Sequence, residues 1–288
     1  NFEKGLGNIA GNALSALTRG IDGNIEAMFG ALFESAGKTP TTSMRFVEQH
    51  LNFEQLGEYL ADAVKSPPYD KNNEYSVSYF WGTVGIVYDK TVVDEADLEE
   101  QGFGIFLNEK YKGDIYLYDS ERDSFMMALK DLGYSMNTEN PDEIREAADS
   151  LKAQKDVVQA YVMDEIFDKM ASGDAWLAPY YAGDYLSMLE NNENLAFVVP
   201  DEGSNWFVDA MCVLKDAPHK EEAEAWINFI ASTEANLLNM DYIWYASPNR
   251  EALEQYPAYY EELYEEELDQ ETYDIIAAPA ETLERCQM

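Results

Sequence analysis

Basic side chains are scarce: 19 Lys+Arg stand against 56 Asp+Glu, a formal net charge of -37 over 288 residues. A field of that sign repels phosphates and draws cations, so nucleic acid is excluded as a partner. Histidine is limited to His50 and His219, neither in a recognisable catalytic setting. His219 follows Pro218 at the start of an acidic helix and reads as exposed. Cysteine is as thin. Cys212 lies in the apolar run AMCVL, where a buried thiol acts as a small hydrophobe, and Cys286 is far from it, so no disulfide framework follows. No apolar run approaches the roughly 18 residues of a membrane span. No basic start leads into an apolar block, so the expectation is an intracellular chain or the processed form of an exported one. The GxSxG, Walker and HExxH patterns are missing, and with them the commonest hydrolase, nucleotide and zinc-peptidase signatures. No cofactor is expected.

Aromatics and acids are what is plentiful. Aromatics make up 13% and hydrophobic residues 46%, enough to bury a core despite the charge. The length admits one large domain or two ordinary ones. Tyr75–Tyr88 is a long β-prone stretch with Gly82 and Gly85 allowing a bend. Beyond it short strands alternate with helices. Strands are predicted at Ile115–Tyr118, Trp176–Tyr180, Leu195–Val199 and Asp209–Leu214, and helices at Arg122–Leu132, Pro141–Lys155, Asp164–Ala171 and Lys220–Ser232. Asn140 and Pro141 open the second helix, and Gly133 and Gly173 lie just past the ends of the first and third. The alternation predicts α/β layers. Phe46–Val64 reads as helix or irregular packing. The tail from Glu251 carries tyrosines at helical spacing between glutamates, as a packed stripe with a solvated face would. Asp70-x-Asn72-x-Glu74 has calcium-loop spacing but Tyr75 where such a loop needs Gly, and reads as a turn.

Four segments combine large aromatics with isolated carboxylates beside turn residues: Tyr75–Lys90, Tyr118–Thr138, Pro200–Met211 and Trp244–Asn249. Aromatic faces and desolvated carboxylates suit a flexible organic cation. Each ammonium needs acceptors, and the methylenes between ammoniums want flat apolar walls. The run Asp119-Ser120-Glu121-Arg122-Asp123 follows a strand and opens a helix, where α/β sheets bind ligands, although Asp119 and Ser120 also suit a helix cap. Asp209 precedes an apolar run, and a carboxylate buried there requires a cationic partner.

In order and spacing, YSVSYFWGTVGIVYDK, YDSERDSFMMALKDLGYSMNT, PDEGSNWFVDAM and WYASPN resemble the spermidine/putrescine-binding receptors of ABC importers. The resemblance runs over roughly Leu51–Asn249. It implies a two-lobed α/β fold of the type II periplasmic-binding-protein kind, with crossover strands between the lobes. The first lobe would hold 1–82 and 208–250, and the second 83–207 with 251–288. It implies a polyamine ligand between the lobes, an ABC permease as partner, no enzymatic activity and an extracytoplasmic place, with any membrane anchor outside this chain. By position it assigns ammonium contacts to Ser120, Asp123 and Asp209, with Asp119 assisting, and aromatic walls to Tyr181, to Phe207 or Trp206, and to Tyr245. Trp81 is either a wall or plain packing. The first fifty residues depart from the family: the Trp-Gly-x-Tyr strand end and the Pro-Ser-x-Tyr-Met loop are missing. Two other readings stay open. Tyr180-Tyr181 matches the tyrosine pair of ferric-ion receptors, and carboxylates this numerous can always supply a glycoside-hydrolase pair.

Overall fold

The computed structural model describes residues 64–277 apart from Ser66 and Asn72, together with Cys286. The expectations over residues 1–50, and nearly all of Phe46–Val64, lie outside the described residues.

One strand organises what is described. β1 (Val77–Asp89) is dense in Val, Ile, Tyr, Phe and Trp and is buried along almost its whole length, so it lies inside the molecule and pairs on more than one side. Its first half, Val77–Thr83, pairs antiparallel with β6 (Trp206–Met211). Its second half pairs antiparallel with β4 (Leu177–Tyr181) through Val84–Tyr88 and with β5 (Leu195–Val198) through Ile86–Asp89. The change of partner falls at Thr83 and Val84. There Asn205 locks the crossing: its Oδ1 accepts from the Val84 N–H at 3.1 Å, and its carbonyl accepts from the Thr83 hydroxyl at 2.6 Å. β2 (Tyr116–Tyr118) and β3 (Ala160–Val162) form a parallel pair, joined to β4 by a bridge between Ile115 and Leu177.

Helices fill the connections. α1 (Glu95–Gln101) follows β1. α2 (Glu121–Asp131) and α3 (Pro141–Gln154) join β2 to β3, and α4 (Glu165–Ala171) leads into β4. Ser120 and Asn140 cap α2 and α3 by accepting from Asp123 N–H and Asp142 N–H. The predicted ends of α2, α3 and α4 fall within a residue of the observed ones, because cap and stop residues were in the sequence. α5 (Ala182–Leu189), α6 (Lys220–Ile230), α7 (Thr233–Ile243), α8 (Arg250–Tyr264) and α9 (Gln270–Ala277) complete the order. α8 packs along α7, and α9 against α5.

The main core joins Phe80, Val84 and Ile86 of β1 to Phe103, Ile105, Phe106, Ile115, Leu117, Tyr118 and Leu177, and extends to Tyr256 of α8. A separate small cluster holds Trp81, Val64 and Ala246. Trp81 is therefore packing. It is 2% exposed, and its Nε1–H donates to the Ser247 carbonyl at 3.2 Å. Cys212 corrects an expectation. It is exposed, because the pairing of β6 with β1 ends at Met211 and leaves the following residue uncovered, whereas Cys286 is buried, its Sγ 3.6 Å from the Thr83 hydroxyl. Asp70 closes the calcium-like loop as a turn: its carboxylate accepts from the backbone N–H of Glu74, Tyr75 and Ser76 and from the Ser76 hydroxyl, each at 2.9 Å. Among the described residues, no helix is long and apolar enough to cross a membrane.

Candidate functional site

The pleat of β6 sorts two neighbouring aromatics. Successive side chains of a strand point to opposite faces. Trp206 and Val208 turn to the small cluster, where the Trp206 ring stands edge-on to Trp81 at 6.1 Å. Phe207 and Asp209 turn the other way, into a cleft of about 550 Å³. That volume suits a small organic molecule. The cleft is also lined by Tyr79, Phe80, Arg122, Asp123, Tyr181, Asp184, Asn205, Ile243 and Tyr245.

Each lining group is delivered by an element end. Tyr181 ends β4, and Asp184 lies in the first turn of α5, three residues on. Asp123 lies in the first turn of α2, where its carboxylate accepts from the Ser120 hydroxyl at 2.7 Å. Tyr245 follows α7, and its hydroxyl donates to Asp184 at 2.9 Å. The rings form one wall, with Tyr181 edge-on to Phe207 at 5.4 Å and Phe207 edge-on to Tyr245 at 6.3 Å. Gly183 makes room for it. A Cβ there would come within 2.4 Å of the Tyr245 ring, closer than any carbon tolerates.

Acid dominates the electrostatics. Asp123, Asp184 and Asp209 share the cleft with one basic side chain, Arg122, among the described residues. Burial raises the Asp184 carboxyl above its ordinary value, opposed by the Tyr245 hydrogen bond and reinforced by Asp164. Loss of water also raises Asp209. The Tyr181 phenol is pushed up to about 12, first by burial and then by all three carboxylates. Burial, then Asp184, raises Tyr245. Loss of water and mutual repulsion both disfavour negative charge here, and a cation relieves both.

The residues singled out in the sequence divide. Asp123, Tyr181, Phe207, Asp209 and Tyr245 line the cleft, while Asp119, Ser120 and Trp206 do not. Asp119 is exposed at the end of β2, its N–H donating to the Val162 carbonyl. Ser120 caps α2 and touches Asp123, and Trp206 belongs to the packing behind the wall. Asp209 was expected to be buried. The residue as a whole is exposed, because β6 leaves that position open toward the cleft, yet the cleft shields its carboxyl enough to raise it. The carboxylate more enclosed in the cleft is Asp184, half-buried and bonded to Tyr245. Its signal was present, since three residues beyond Tyr181 is one helical turn. Tyr79 and Phe80 were hidden by a bulge between Ser78 and Trp81, which breaks the alternation of faces. The imidazole of His219 is 79% exposed beside Glu222.

Known proteins resemble this chain in sequence and fold. Residues 26–260 match the family described as bacterial extracellular solute-binding protein. The spermidine/putrescine-binding periplasmic protein of Escherichia coli K12 is 31% identical over 182 residues, which cover 63% of this chain and 52% of that protein. Its Salmonella typhimurium counterpart is 32% identical over 188 residues, with shares of 63% and 52%. The chain thus spans about half the length of the curated relatives it matches. Among solved structures, the spermidine/putrescine ABC transporter substrate-binding protein of Streptococcus pneumoniae is 27% identical, with TM-score 0.66 over 87% of this chain and 82% of that one. A Treponema pallidum lipoprotein is also 27% identical, with TM-score 0.65 over 72% and 66%. The fold is α/β, of the two-lobed type II periplasmic-binding-protein kind.

Proposed function

Starting from the chain's membership of the bacterial extracellular solute-binding proteins, we propose that it is an extracytoplasmic receptor for a polyamine such as putrescine or spermidine. Its cleft closes on the ligand, and the loaded protein delivers it to an ABC permease. One observation carries this reading: three carboxylates, Asp123, Asp184 and Asp209, face one aromatic wall of Tyr181, Phe207 and Tyr245. Carboxylates offset the desolvation of ammonium groups, and the rings cover the methylenes between them. The relatives named as binding spermidine and putrescine point the same way. The lobes would be 1–82 with 208–250 and 83–207 with 251–288, a division that the change of partners along β1 at Thr83 and Val84 supports. A ligand touching both lobes favours the closed state by its differential affinity.

Calorimetric titration with putrescine, spermidine, glycine betaine and ferric citrate tests the reading. Binding of either polyamine, without binding of betaine, supports it, and silence toward both polyamines overturns it. The ferric reading keeps the same fold. Iron(III) would need phenolates, yet burial and the carboxylates raise both Tyr180 and Tyr181 and disfavour that form. A coloured phenolate-to-iron band on adding ferric salt would revive it. The glycoside-hydrolase reading predicts turnover of a glycan, which would separate it from a binder.

A further inference from the structure

The most constrained backbone near the cleft belongs to a residue that does not line it. Trp244 closes α7 with φ 58 and ψ 26. Glycine or asparagine normally takes that left-handed setting, and a bulky side chain there is an outlier that persists only when its surroundings impose it. Glu265 ends α8 in the same way but faces solvent. Trp244 is different, because the next residue is Tyr245.

The surroundings that impose this setting are visible on both sides. Before the turn, the Trp244 N–H donates to the Met240 carbonyl at 2.9 Å, and its ring stands edge-on to Tyr260 of α8 at 6.2 Å. After it, the Ala246 carbonyl accepts from Trp81 N–H at 3.1 Å and the Ser247 carbonyl from Trp81 Nε1–H at 3.2 Å. The Ser247 hydroxyl donates to Asn236 at 2.7 Å and accepts from the Asn249 N–H at 2.9 Å. The backbone is pinned to β1 on one side and clamped to α8 on the other. Tyr245 lies between the two anchors, its ring against Gly183 and Phe207 and its hydroxyl on Asp184. A glycine would close the helix with less strain, so what the tryptophan adds is the ring against Tyr260.

We propose that Trp244 is a positioning residue of the cleft: its left-handed backbone, clamped to α8 through Tyr260, sets Tyr245 toward Asp184 and Phe207. The proposal deepens the receptor reading, on which its consequence for ligand rests, but the geometry it concerns exists without ligand. A double-mutant cycle of Tyr245→Phe and Asp184→Ala, read by denaturant unfolding, therefore tests it in the free protein. The two changes are expected to couple in the parent protein, to lose that coupling in Trp244→Gly, and to regain it in Trp244→Phe, which keeps a ring against Tyr260. Coupling that persists in Trp244→Gly overturns the proposal. Spermidine titration of Trp244→Gly should show a dissociation constant raised about tenfold, equivalent to about 1.4 kcal/mol. A parent protein that ignores polyamines while the coupling behaves as expected overturns the receptor reading and leaves the positioning role standing. Should Trp244→Gly not fold, Tyr260→Leu removes the same clamp from the opposite helix and carries the same two outcomes.

Discussion

At the scale of single residues, Trp206 and Phe207 face opposite sides of one strand, so their truncation should have separable effects. Trp206→Ala removes a ring packed on Trp81. It should cost on the order of 2 kcal/mol in unfolding free energy, less than a fully buried tryptophan, and leave polyamine affinity nearly unchanged. Phe207→Ala removes a cleft wall. It should weaken polyamine binding about threefold to 30-fold, the range of a cation–π contact, with a smaller effect on stability. If calorimetry and denaturant unfolding show the reverse, the assignment of faces is wrong. The carboxylates give a pH test whose sign is fixed. Asp184 and Asp209 hold their protons more tightly folded than unfolded. Their contribution to stability is full below the ordinary carboxylate value near 4 and is lost as pH rises through the raised folded values. Cation binding needs the ionised form, so affinity is gained over the same window. Asp70 and Asp97, lowered by hydrogen bonds to their ionised forms against the cost of burial, act below that window with the opposite sign. Between about pH 4 and 7, thermal unfolding of the free protein and titration with spermidine should therefore slope in opposite directions. Asp184→Asn should make both slopes shallower, while Asp131 and Asp241, also raised by burial, keep part of the stability slope. Parallel slopes in the parent would contradict the role given to these groups.

At the scale of elements, Gly183 separates helix propensity from site geometry. In an ordinary helix, Gly→Ala stabilises by about 0.5–1 kcal/mol. Here the new methyl meets the Tyr245 ring at 2.4 Å, so Gly183→Ala should instead destabilise by about 1–3 kcal/mol and weaken polyamine binding, since overpacking displaces the ring. A rise in thermal midpoint would show that Tyr245 is not held there. The same contrast between local rule and tertiary placement explains what the sequence could and could not reveal. α2, α3 and α4 were legible because Ser120, Asn140, Pro141, Gly133 and Gly173 are local signals. β1 was legible from its Val and aromatic content. α7 was not: its apolar residues form no clear stripe, because α5, α6 and α8 all pack on it. β6 begins at Trp206 rather than Asp209, since its start is set by pairing with Thr83 of a strand far away in sequence. The site was half legible for the same reason. Asp123, Tyr181, Phe207 and Tyr245 lie beside turns that mark element ends. Asn205, Tyr79 and Ile243 enter the cleft only through a remote register, a bulge and a helix end packed from elsewhere.

At the scale of the whole molecule, the net charge of -37 exceeds what one ligand site can use. Among the described residues most of the acids stand on solvated faces, such as the α8 run through Glu261 and Glu262. Contributions of exposed charges to stability are small, so their collective effect should appear in kinetics. A polycation approaching a surface of this sign is drawn in before it touches the cleft, and the attraction reaches about one Debye length. Raising ionic strength from about 10 mM to about 150 mM shortens that length from about 30 Å to about 8 Å. The association rate of spermidine should then fall about tenfold, at the low end of electrostatic steering. The dissociation rate should change much less, because carboxylates inside the cleft are screened less than those outside. Stopped-flow measurement of both rates over that salt range separates long-range field from local contact. A salt dependence carried mainly by dissociation would place the effect in Asp123, Asp184 and Asp209 and leave the surface charge without a kinetic role.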